Sequence, residues 1–303
     1  MTTLGVALIT KETTKLPTMS EIESVAIVGA GFMGTGIAEA VAVSGIPVII
    51  RDVDDAALAR AGERIDTSLA RAVRGGKLQA AEAGAVRERI ELTTELEAIG
   101  EADLVIEAVP EDAQLKLRVM GAIAAVVSDD AIVASNTSSI PIAELAQAIR
   151  RPERMLGLHF FSPVPVMSLV EVVVALDTNE RTIDSAKRFV ERLGKRPIET
   201  KDRSGFIVNM LLVPYLMAAV RMYEEDFASR EDIDNGMKLG CGHPMGPLTL
   251  CDFIGLDVLY AIGASLYDEF KRDEYAPPPL LKRMVASGRL GRKSGRGFYD
   301  YSS

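Results

Sequence analysis

Residues Val25–Gly34 read VAIVGAGFMG, in which four apolar residues typical of a buried strand run directly into a Gly-x-Gly-x-x-Gly pattern. Gly29 permits a tight turn after the strand, Gly31 lets the backbone approach a diphosphate, and Gly34 lets the next helix pack against the strand. The free N–H groups and the dipole at the start of that helix attract phosphate. The stretch therefore predicts a dinucleotide-binding unit. Its predicted ligand contacts are Gly29, Gly31, Phe32, Met33 and Gly34.

The kind of dinucleotide is indicated by Asp52, which follows a second strand predicted over Val48–Arg51. A carboxylate about twenty residues beyond the glycines accepts hydrogen bonds from a ribose and disfavours a 2′-phosphate, so it favours NAD over NADP. The neighbouring Arg51 is of a type that accommodates a 2′-phosphate, which keeps NADP open as an alternative. The other alternative is that the glycines serve an ordinary strand-to-helix turn.

Short apolar runs alternate with Ala-rich helical stretches, such as Thr35–Ser44 and Asp55–Arg74, from residue 22 to about residue 201. Runs that are apolar at every position and separated by helices are typical of a parallel sheet covered on both faces. The predicted fold class is therefore α/β with a doubly wound sheet; an α+β domain of another topology is the alternative. Strands are predicted at Val25–Val28, Val48–Arg51, Leu104–Val109, Ile132–Ser135, Leu156–His159 and Leu169–Val174.

The chain changes character after Lys201. Phe206–Met222 is almost continuously apolar and too long for a strand, so it predicts a buried helix with Pro214 as a candidate kink. Further helices are predicted at Glu231–Leu239, Leu256–Phe270 and Leu280–Ser287. We therefore divide the chain into an N-terminal tail at residues 1–20, a dinucleotide-binding domain at residues 21–202 and an all-helical domain at residues 203–303.

The composition of the 303 residues limits the partners and the compartment. Thirty-four basic against 43 acidic side chains give a net charge of −9, which disfavours nucleic acid and anionic membranes as partners. Two cysteines and two histidines are too few for a disulfide framework or a zinc site of paired ligands. There is no apolar run of roughly 18 residues to span a membrane, and no signal-peptide pattern. We expect a cytoplasmic protein that holds no metal.

His159 is the strongest candidate for acid–base chemistry. It ends a predicted strand, at the edge where ligands bind in a doubly wound sheet, and Glu171 in the next predicted strand is placed to pair with it. A carboxylate on one ring nitrogen fixes the tautomer, and the other nitrogen then takes a hydroxyl proton. The pair predicts the oxidation of an alcohol, with the hydride passing to a nicotinamide. The alternative is a histidine satisfied by neighbours in the core.

Polar residues Asn136–Ser139 follow the predicted strand Ile132–Ser135, so we expect them to face the same crevice, with Asn136 among the cofactor contacts. The alternative is that Ser139 caps a helix entered at Pro141.

Asn209 is the only clearly polar side chain between Phe206 and Val213 in the predicted buried helix. A buried amide without a partner costs about 1–3 kcal/mol, so Asn209 is expected to have one. Three candidate partners stay open: a substrate carbonyl, a residue near His159, or a residue of another helix.

A basic run lies between Arg60 and Leu78, where five basic side chains face two acidic ones. Such a run is either a solvated helix face or a site for an anionic ligand. A second basic run, from Lys282 to Arg296, contains no acidic residue, and its pattern assigns no partner.

Taken together, these stretches resemble the L-3-hydroxyacyl-CoA dehydrogenase family over nearly the whole chain, most of all its single-function bacterial members, which act on short acyl chains. The likeness is carried by the Gly-rich stretch and by the motifs at Ile106–Glu111, Ala134–Ser139, Gly157–Phe161, Lys201–Asn209, Pro244–Pro247 and Gly291–Tyr299. It implies a Rossmann domain, a helical domain that forms a homodimer, and NAD-dependent interconversion of (S)-3-hydroxyacyl-CoA and 3-ketoacyl-CoA.

The resemblance also implies roles for individual residues. His159 matches the base, Glu171 its orienting carboxylate, and Ser138 and Asn209 the substrate-side polar residues. The expected cofactor contacts beyond the glycines are Asp52, Asn136, Glu111 and Lys116. The expected contacts to CoA are Ser68 and either Arg74 or Lys77, since the spacing of the basic residues differs from that of the family.

One position departs from the family pattern. Family members read Phe-Phe-Asn-Pro after the histidine, and this chain has Ser162 as its substrate-side residue there. A serine offers one short donor in place of an amide with two, and the loss of one such donor costs about 10²–10³ in rate elsewhere. Two other functions therefore stay open: oxidation of a hydroxyacyl group on an acyl carrier protein, and a non-catalytic dinucleotide-binding or structural protein.

Overall fold

The computed structural model describes residues 21–301, and the predicted tail at residues 1–20 lies outside them. One eight-stranded sheet dominates the first part of the chain, in the order β3-β2-β1-β4-β5-β6-β7-β8. The strands are β1 Val25–Val28, β2 Val48–Arg51, β3 Ile90–Thr93, β4 Leu104–Glu107, β5 Ile132–Ser135, β6 Met155–Phe160, β7 Leu169–Val174 and β8 Arg196–Lys201.

Eleven α-helices lie in the described part of the chain, six of them around the sheet and five after it. The first six are α1 Phe32–Val43, α2 Asp55–Arg74, α3 Ala80–Glu88, α4 Ala113–Val126, α5 Ile142–Ala146 and α6 Glu180–Arg192. The others are α7 Val208–Glu224, α8 Arg230–Cys241, α9 Pro247–Ile254, α10 Leu256–Phe270 and α11 Pro279–Ala286. Three short 3-10 helices occupy Glu97–Ile99, Pro152–Arg154 and Arg292–Ser294.

The predicted fold class is confirmed. Apolar helices cover both faces of the sheet: Ile37 of α1 and Ile65 of α2 belong to one core, and Met120 of α4 and Ile142 of α5 to the other. The strand order reverses at β1, which pairs with both β2 and β4, so a crevice opens at the carboxyl ends of these strands.

The sheet differs from the prediction in one respect that matters for the site. The prediction was of parallel strands throughout, but β7 runs antiparallel to β6, with His159 directly opposite Glu171. The short loop between the two strands allows this, because a parallel connection needs a crossover of a dozen residues or more.

Two strands and one α-helix fall outside the predicted elements: β3, β8 and α9. The strand β8 reads RPIETK, which lacks an apolar run because it forms the edge of the sheet and is partly exposed. The helix α9 begins at Pro247; proline is favoured at the first position of a helix because its missing N–H is not needed there.

The helical domain has its own core, to which Leu216 of α7 and Leu259 of α10 contribute. The helix α7 is less buried than predicted, since Leu211 is 72% exposed. The division of the chain after residue 202 falls between the end of β8 and the start of α7 and stays a prediction.

No single helix within residues 21–301 is long and apolar enough to cross a membrane; α9 and α10 reach that length only as a pair, and they meet at an angle of 97°.

Candidate active site

The Gly-rich turn at residues 29–34 has the geometry that a dinucleotide requires. Gly29 has φ of +115°, and a Cβ there would lie 2.7 Å from the carbonyl oxygen of Ala108. A Cβ on Gly34 would clash with the carbonyl oxygen of Gly29, so α1 packs against the turn as predicted. A Cβ on Gly31 would meet nothing within 4 Å, which leaves open space beside the uncapped N-terminus of α1. These residues fit a bound diphosphate.

Asp52 and Arg51 lie differently with respect to this turn. The Asp52 carboxylate accepts a hydrogen bond from the Ala30 N–H at 2.7 Å and another from the Asp54 N–H at 3.2 Å. The Arg51 guanidinium donates instead to the carbonyl oxygen of Thr94 at 3.2 Å, directly after the neighbouring strand β3. A carboxylate therefore stands at the predicted ribose position while Arg51 is engaged elsewhere, which favours NAD.

His159 is held at both ring nitrogens. Its Nδ1 lies 2.6 Å from Oε2 of Glu171, and its Nε2 lies 2.9 Å from Oγ of Ser138. The rings of Phe161 and Phe206 lie 4.6 Å and 5.3 Å from the imidazole. Because His159 is 4% exposed and Glu171 is fully buried, the carboxylate fixes the tautomer that presents Nε2 to Ser138. We call His159, Glu171 and Ser138 the reacting centre.

Glu171 also joins the reacting centre to the helical domain. Its second oxygen accepts hydrogen bonds from the N–H groups of Ile207 at 3.0 Å and Val208 at 2.9 Å, at the start of α7. Asn209 is the next residue and is 8% exposed. Its side-chain amide forms no hydrogen bond with another residue in 21–301, so the alternatives of a bond to another helix or to the surroundings of His159 are wrong.

The loop that carries Ser138 rests on Glu111. This carboxylate accepts hydrogen bonds from the Ser138 N–H at 2.9 Å, the Ser139 N–H at 3.1 Å and the Thr137 hydroxyl at 2.5 Å. Burial raises the pKa of Glu111, but the Lys116 charge and these hydrogen bonds outweigh burial and hold the pKa below its usual value. Glu111 is therefore an anion that fixes the backbone on either side of the Ser138 side chain.

Lys116 lies behind Glu111 and is almost fully buried. Its ammonium contacts Oε1 of Glu107 at 2.7 Å, Oε2 of Glu111 at 3.3 Å and the carbonyl oxygen of Val109 at 3.1 Å. Lys116 is thus a buried cation that holds the carboxylates of Glu107 and Glu111 in place beside the crevice.

Asn136 and Ser139 have separate roles in this loop. The carboxamide oxygen of Asn136 accepts a hydrogen bond from the Phe160 N–H at 2.9 Å, which holds it beside β6. The alternative that Ser139 caps the following helix is wrong, because Asp202 accepts hydrogen bonds from the Ile142 and Ala143 N–H groups at the start of α5. The aspartate lies 60 residues from Ile142 in sequence, so local spacing gave no sign of it.

A cleft of about 870 Å³ lies between α1, α2 and the loop of residues 161–168. Of the three predicted CoA contacts, Ser68 and Lys77 line it and Arg74 does not. Arg71 takes that place, three residues after Ser68 on the same helix face. The charged side chains of the lining are Arg60, Arg64, Arg71, Lys77, Glu39 and Glu63.

Glu39 is a cleft residue that the sequence analysis missed. It accepts a hydrogen bond from the Ser68 hydroxyl at 2.8 Å. Burial raises the pKa of Glu39, against the smaller opposing effects of the Ser68 hydrogen bond and the Arg71 charge. Because the Ser68 hydroxyl donates its proton to Glu39, its oxygen retains lone pairs that can accept a hydrogen bond in the cleft.

Family models match both parts of the chain: the NAD-binding domain of 3-hydroxyacyl-CoA dehydrogenase at residues 24–203 and the C-terminal domain of 3-hydroxyacyl-CoA dehydrogenase at residues 205–301. The chain belongs to the 3-hydroxyacyl-CoA dehydrogenase family. The resemblance drawn from the sequence motifs is confirmed, and the dehydrogenase is an oxidoreductase with NAD as its cofactor.

Curated relatives of the dehydrogenase match along almost all of its length. A 3-hydroxybutyryl-CoA dehydrogenase of Mycobacterium tuberculosis is 48% identical over 282 residues, 92% of this chain and 99% of the relative. The human mitochondrial hydroxyacyl-coenzyme A dehydrogenase is 39% identical over 287 residues, 92% of this chain and 91% of the relative.

Solved structures agree with these matches. FadB2 of M. tuberculosis superposes on the dehydrogenase with a TM-score of 0.92 at 48% identity, covering 93% of this chain and 100% of that one. The (S)-3-hydroxybutyryl-CoA dehydrogenase PaaH1 of Ralstonia eutropha gives a TM-score of 0.89 at 44% identity, with 93% and 100% covered.

Ser162 follows the reacting centre at the start of the loop of residues 161–168. Its side chain is exposed, and its hydroxyl forms no hydrogen bond with a described residue. Two side chains of the second basic run pair with carboxylates of the helical domain: Arg283 with Glu224 at 2.8 Å, and Lys293 with Asp257.

Proposed function

We propose that the dehydrogenase interconverts short-chain (S)-3-hydroxyacyl-CoA and 3-ketoacyl-CoA, with 3-hydroxybutyryl-CoA and acetoacetyl-CoA as the preferred pair. The observation that carries this proposal is the bond between Nε2 of His159 and the Ser138 hydroxyl, with Nδ1 held by Glu171. The names of its bacterial relatives support the four-carbon substrate. Those names do not favour a carrier-protein substrate or a non-catalytic role.

The chemistry divides between the cofactor and the protein. NAD, held at the Gly-rich turn, would supply the acceptor for the hydride on the carbon that bears the hydroxyl group. His159 takes the hydroxyl proton at Nε2, and the buried Glu171 stabilises the imidazolium that results. In the reverse direction His159 returns that proton to the ketone oxygen. Gly29–Gly34 and Asp52 hold the adenosine diphosphate half of NAD, with Phe32 and Met33 at the start of α1.

Ser138 and Asn209 orient the substrate in this proposal. The Ser138 hydroxyl lies on the proton path beside His159, and the unpaired Asn209 amide donates to a substrate oxygen. Glu111, supported by Lys116, places Ser138, and Asn136 would be a contact to NAD. A donor aimed at the developing oxyanion stabilises the transition state, because it is already in position when charge develops.

The CoA portion lies in the cleft. Arg71 and Lys77 bind its phosphates, and the Ser68 oxygen accepts a hydrogen bond from an N–H or O–H group of the ligand. Cationic side chains attract phosphate in a chain whose net charge of −9 repels it elsewhere. The departure at Ser162 leaves space at the mouth of the reacting centre for water.

The dehydrogenase also acts, we propose, as a cytoplasmic homodimer that associates through its helical domain. Large apolar side chains are exposed there, with Leu211 at 72%, Phe227 at 76% and Leu239 at 84%. Exposed apolar side chains of this kind gather at interfaces between subunits. Sedimentation equilibrium measures the state, and a monomer at micromolar concentration would contradict the proposal.

The test is NADH oxidation by the purified protein with acetoacetyl-CoA, followed by absorbance, with NADPH in a parallel reaction. We expect turnover with NADH and a preference over NADPH of about a hundredfold or more in kcat/KM, since a 2′-phosphate beside Asp52 brings like charges together. Protein that binds NADH and leaves acetoacetyl-CoA unreduced would contradict the proposed substrate. Equal kcat/KM for the two cofactors would contradict the assigned role of Asp52.

A further inference from the structure

The loop of residues 161–168, here called the cleft loop, is a wall shared by two parts of the site. It begins two residues after His159, and Pro163–Val166 line the cleft. On its inner side, Val164 is 2% exposed and packs against α1, where a Cβ on Gly36 would lie only 3.1 Å from the Val164 Cβ. The shape of the cleft therefore depends on how this loop is held.

Lys195, between α6 and β8, holds the cleft loop from behind. Its Nζ donates to the carbonyl oxygens of Val164 at 2.6 Å and Met167 at 2.7 Å. The carbonyl oxygen of Pro163 accepts from the N–H groups of Val166 and Met167, at 2.9 Å and 3.0 Å. The turn thus has internal hydrogen bonds, and Lys195 bonds two of its remaining carbonyls.

The environment of Lys195 is unusual for a lysine. Within residues 21–301, no carboxylate lies within ion-pair distance of its ammonium, and desolvation by burial lowers its pKa. A partly buried cation without a counter-ion carries a desolvation cost. Charge-assisted hydrogen bonds to two carbonyls offset this cost, and their effect is to fix the loop that they join.

We propose that Lys195 is a positioning residue for the thioester substrate, because its ammonium fixes Pro163–Val166 as the wall against which the CoA portion lies. This inference rests on the proposed function. The wall touches the part of the substrate that lies in the cleft, away from the reacting carbon. Release of the loop therefore weakens binding of a CoA ester more than binding of a short thioester that lacks the nucleotide.

The experiment compares wild type with Lys195→Met on acetoacetyl-CoA and on acetoacetyl-N-acetylcysteamine, which carries the same acyl group without the nucleotide. We expect kcat/KM for acetoacetyl-CoA to fall about tenfold or more, mainly through KM, since small displacements of a binding wall have large effects. With the truncated thioester the fall should be at least threefold smaller. The KM for NADH should stay within about twofold of wild type.

Lys187→Met is the matched control. Lys187 lies in α6, eight residues earlier, and pairs with Glu199 on the surface at 2.6 Å. This variant should leave kcat/KM unchanged for both thioesters. Lys195→Arg keeps the charge and the donors, so it should recover part of the loss with acetoacetyl-CoA, which a role in folding alone would not predict.

Equal losses with the two thioesters, or no loss with either, would overturn the proposal. Wild type that fails to reduce acetoacetyl-CoA would instead overturn the proposed function. If Lys195→Met does not fold, Val164→Ala releases the same loop from its contact with α1 and should reproduce the selective loss. The role assigned to the loop would be contradicted if Val164→Ala folds and has the kcat/KM of wild type for both thioesters.

Discussion

The reacting centre and the cleft differ in how their polar side chains are held. His159 is 4% exposed and has a partner on each ring nitrogen, while its partner Glu171 is fully buried and bonded at both oxygens. In the cleft, the side chains of Arg71 and Lys77 are exposed. Neither side chain forms an ion pair with a described residue. Proton transfer requires that the donor and acceptor atoms be positioned to about a few tenths of an ångström. Phosphate binding requires only a positive charge near the phosphate.

The largest effect is expected from His159→Ala, which removes the base from the rigid centre. We expect kcat to fall by about 10³, within the range attributed to general acid–base catalysis. Affinity for NADH should stay near that of wild type, because the contacts of His159 are with Ser138, Glu171 and two aromatic rings. Steady-state kinetics and NADH fluorescence titration measure the two quantities.

The other histidine provides the control for this prediction. His243 is exposed and its Nδ1 lies 3.3 Å from the Tyr215 hydroxyl, in the helical domain. His243→Ala should therefore retain wild-type kcat. Near-normal turnover by His159→Ala would show that His159 is not the base. The contrast drawn between the reacting centre and the cleft would then be wrong.

Sequence patterns predicted the rigid part of the molecule well, and the reason is physical. A strand at the centre of a sheet must be apolar on both faces, so His159 and Glu171 were conspicuous as polar residues in two such runs. The Gly-rich turn was equally visible, since Gly29 and Gly34 meet steric demands that no other residue meets.

The parts that escaped depend on contacts between distant segments. The bonds from Lys195 to the cleft loop span 31 and 28 residues, and the Glu39–Ser68 bond spans 29. Arg71 and Arg74 both belong to the last turn of α2, and only the packing of the helix against the cleft shows that Arg71 lines it. Local spacing contains no information about such contacts.

The choice between Arg71 and Arg74 can be tested by mutation, and the expected change in KM is intermediate in size. Arg71→Ala should raise the KM for acetoacetyl-CoA about three- to fivefold at low salt, because an exposed charge contributes up to about 1 kcal/mol. Arg74→Ala removes the same charge from the same helix turn outside the cleft, so its KM should equal that of wild type. The difference between the variants should shrink as salt is added, since salt screens exposed charges.

Equal KM values for Arg71→Ala and Arg74→Ala at every salt concentration would show that the cleft attracts its ligand through the overall field of α2. The proposed contact between Arg71 and a phosphate would then be wrong. An Arg71→Ala effect that salt does not change would point instead to lost packing by the arginine stem.

The smallest effect is expected at Ser162, which lies between the two regions, after the strand of His159 and at the start of the cleft loop. Ser162→Asn restores the amide of the family pattern. Because the Ser162 side chain is exposed, water supplies hydrogen bonds there already, and a bridging water is nearly as good as a direct bond. We therefore expect kcat/KM for acetoacetyl-CoA to rise only about twofold.

The way in which the Ser162→Asn effect divides between kcat and KM assigns this position to one region. A change in KM alone means that the side chain contacts bound substrate equally in the ground and transition states, as expected of the cleft. A rise in kcat of about a hundredfold would mean that an oxyanion donor is missing from the native chain. In that case the reacting centre is incomplete, and its partners on His159 do not by themselves set the rate.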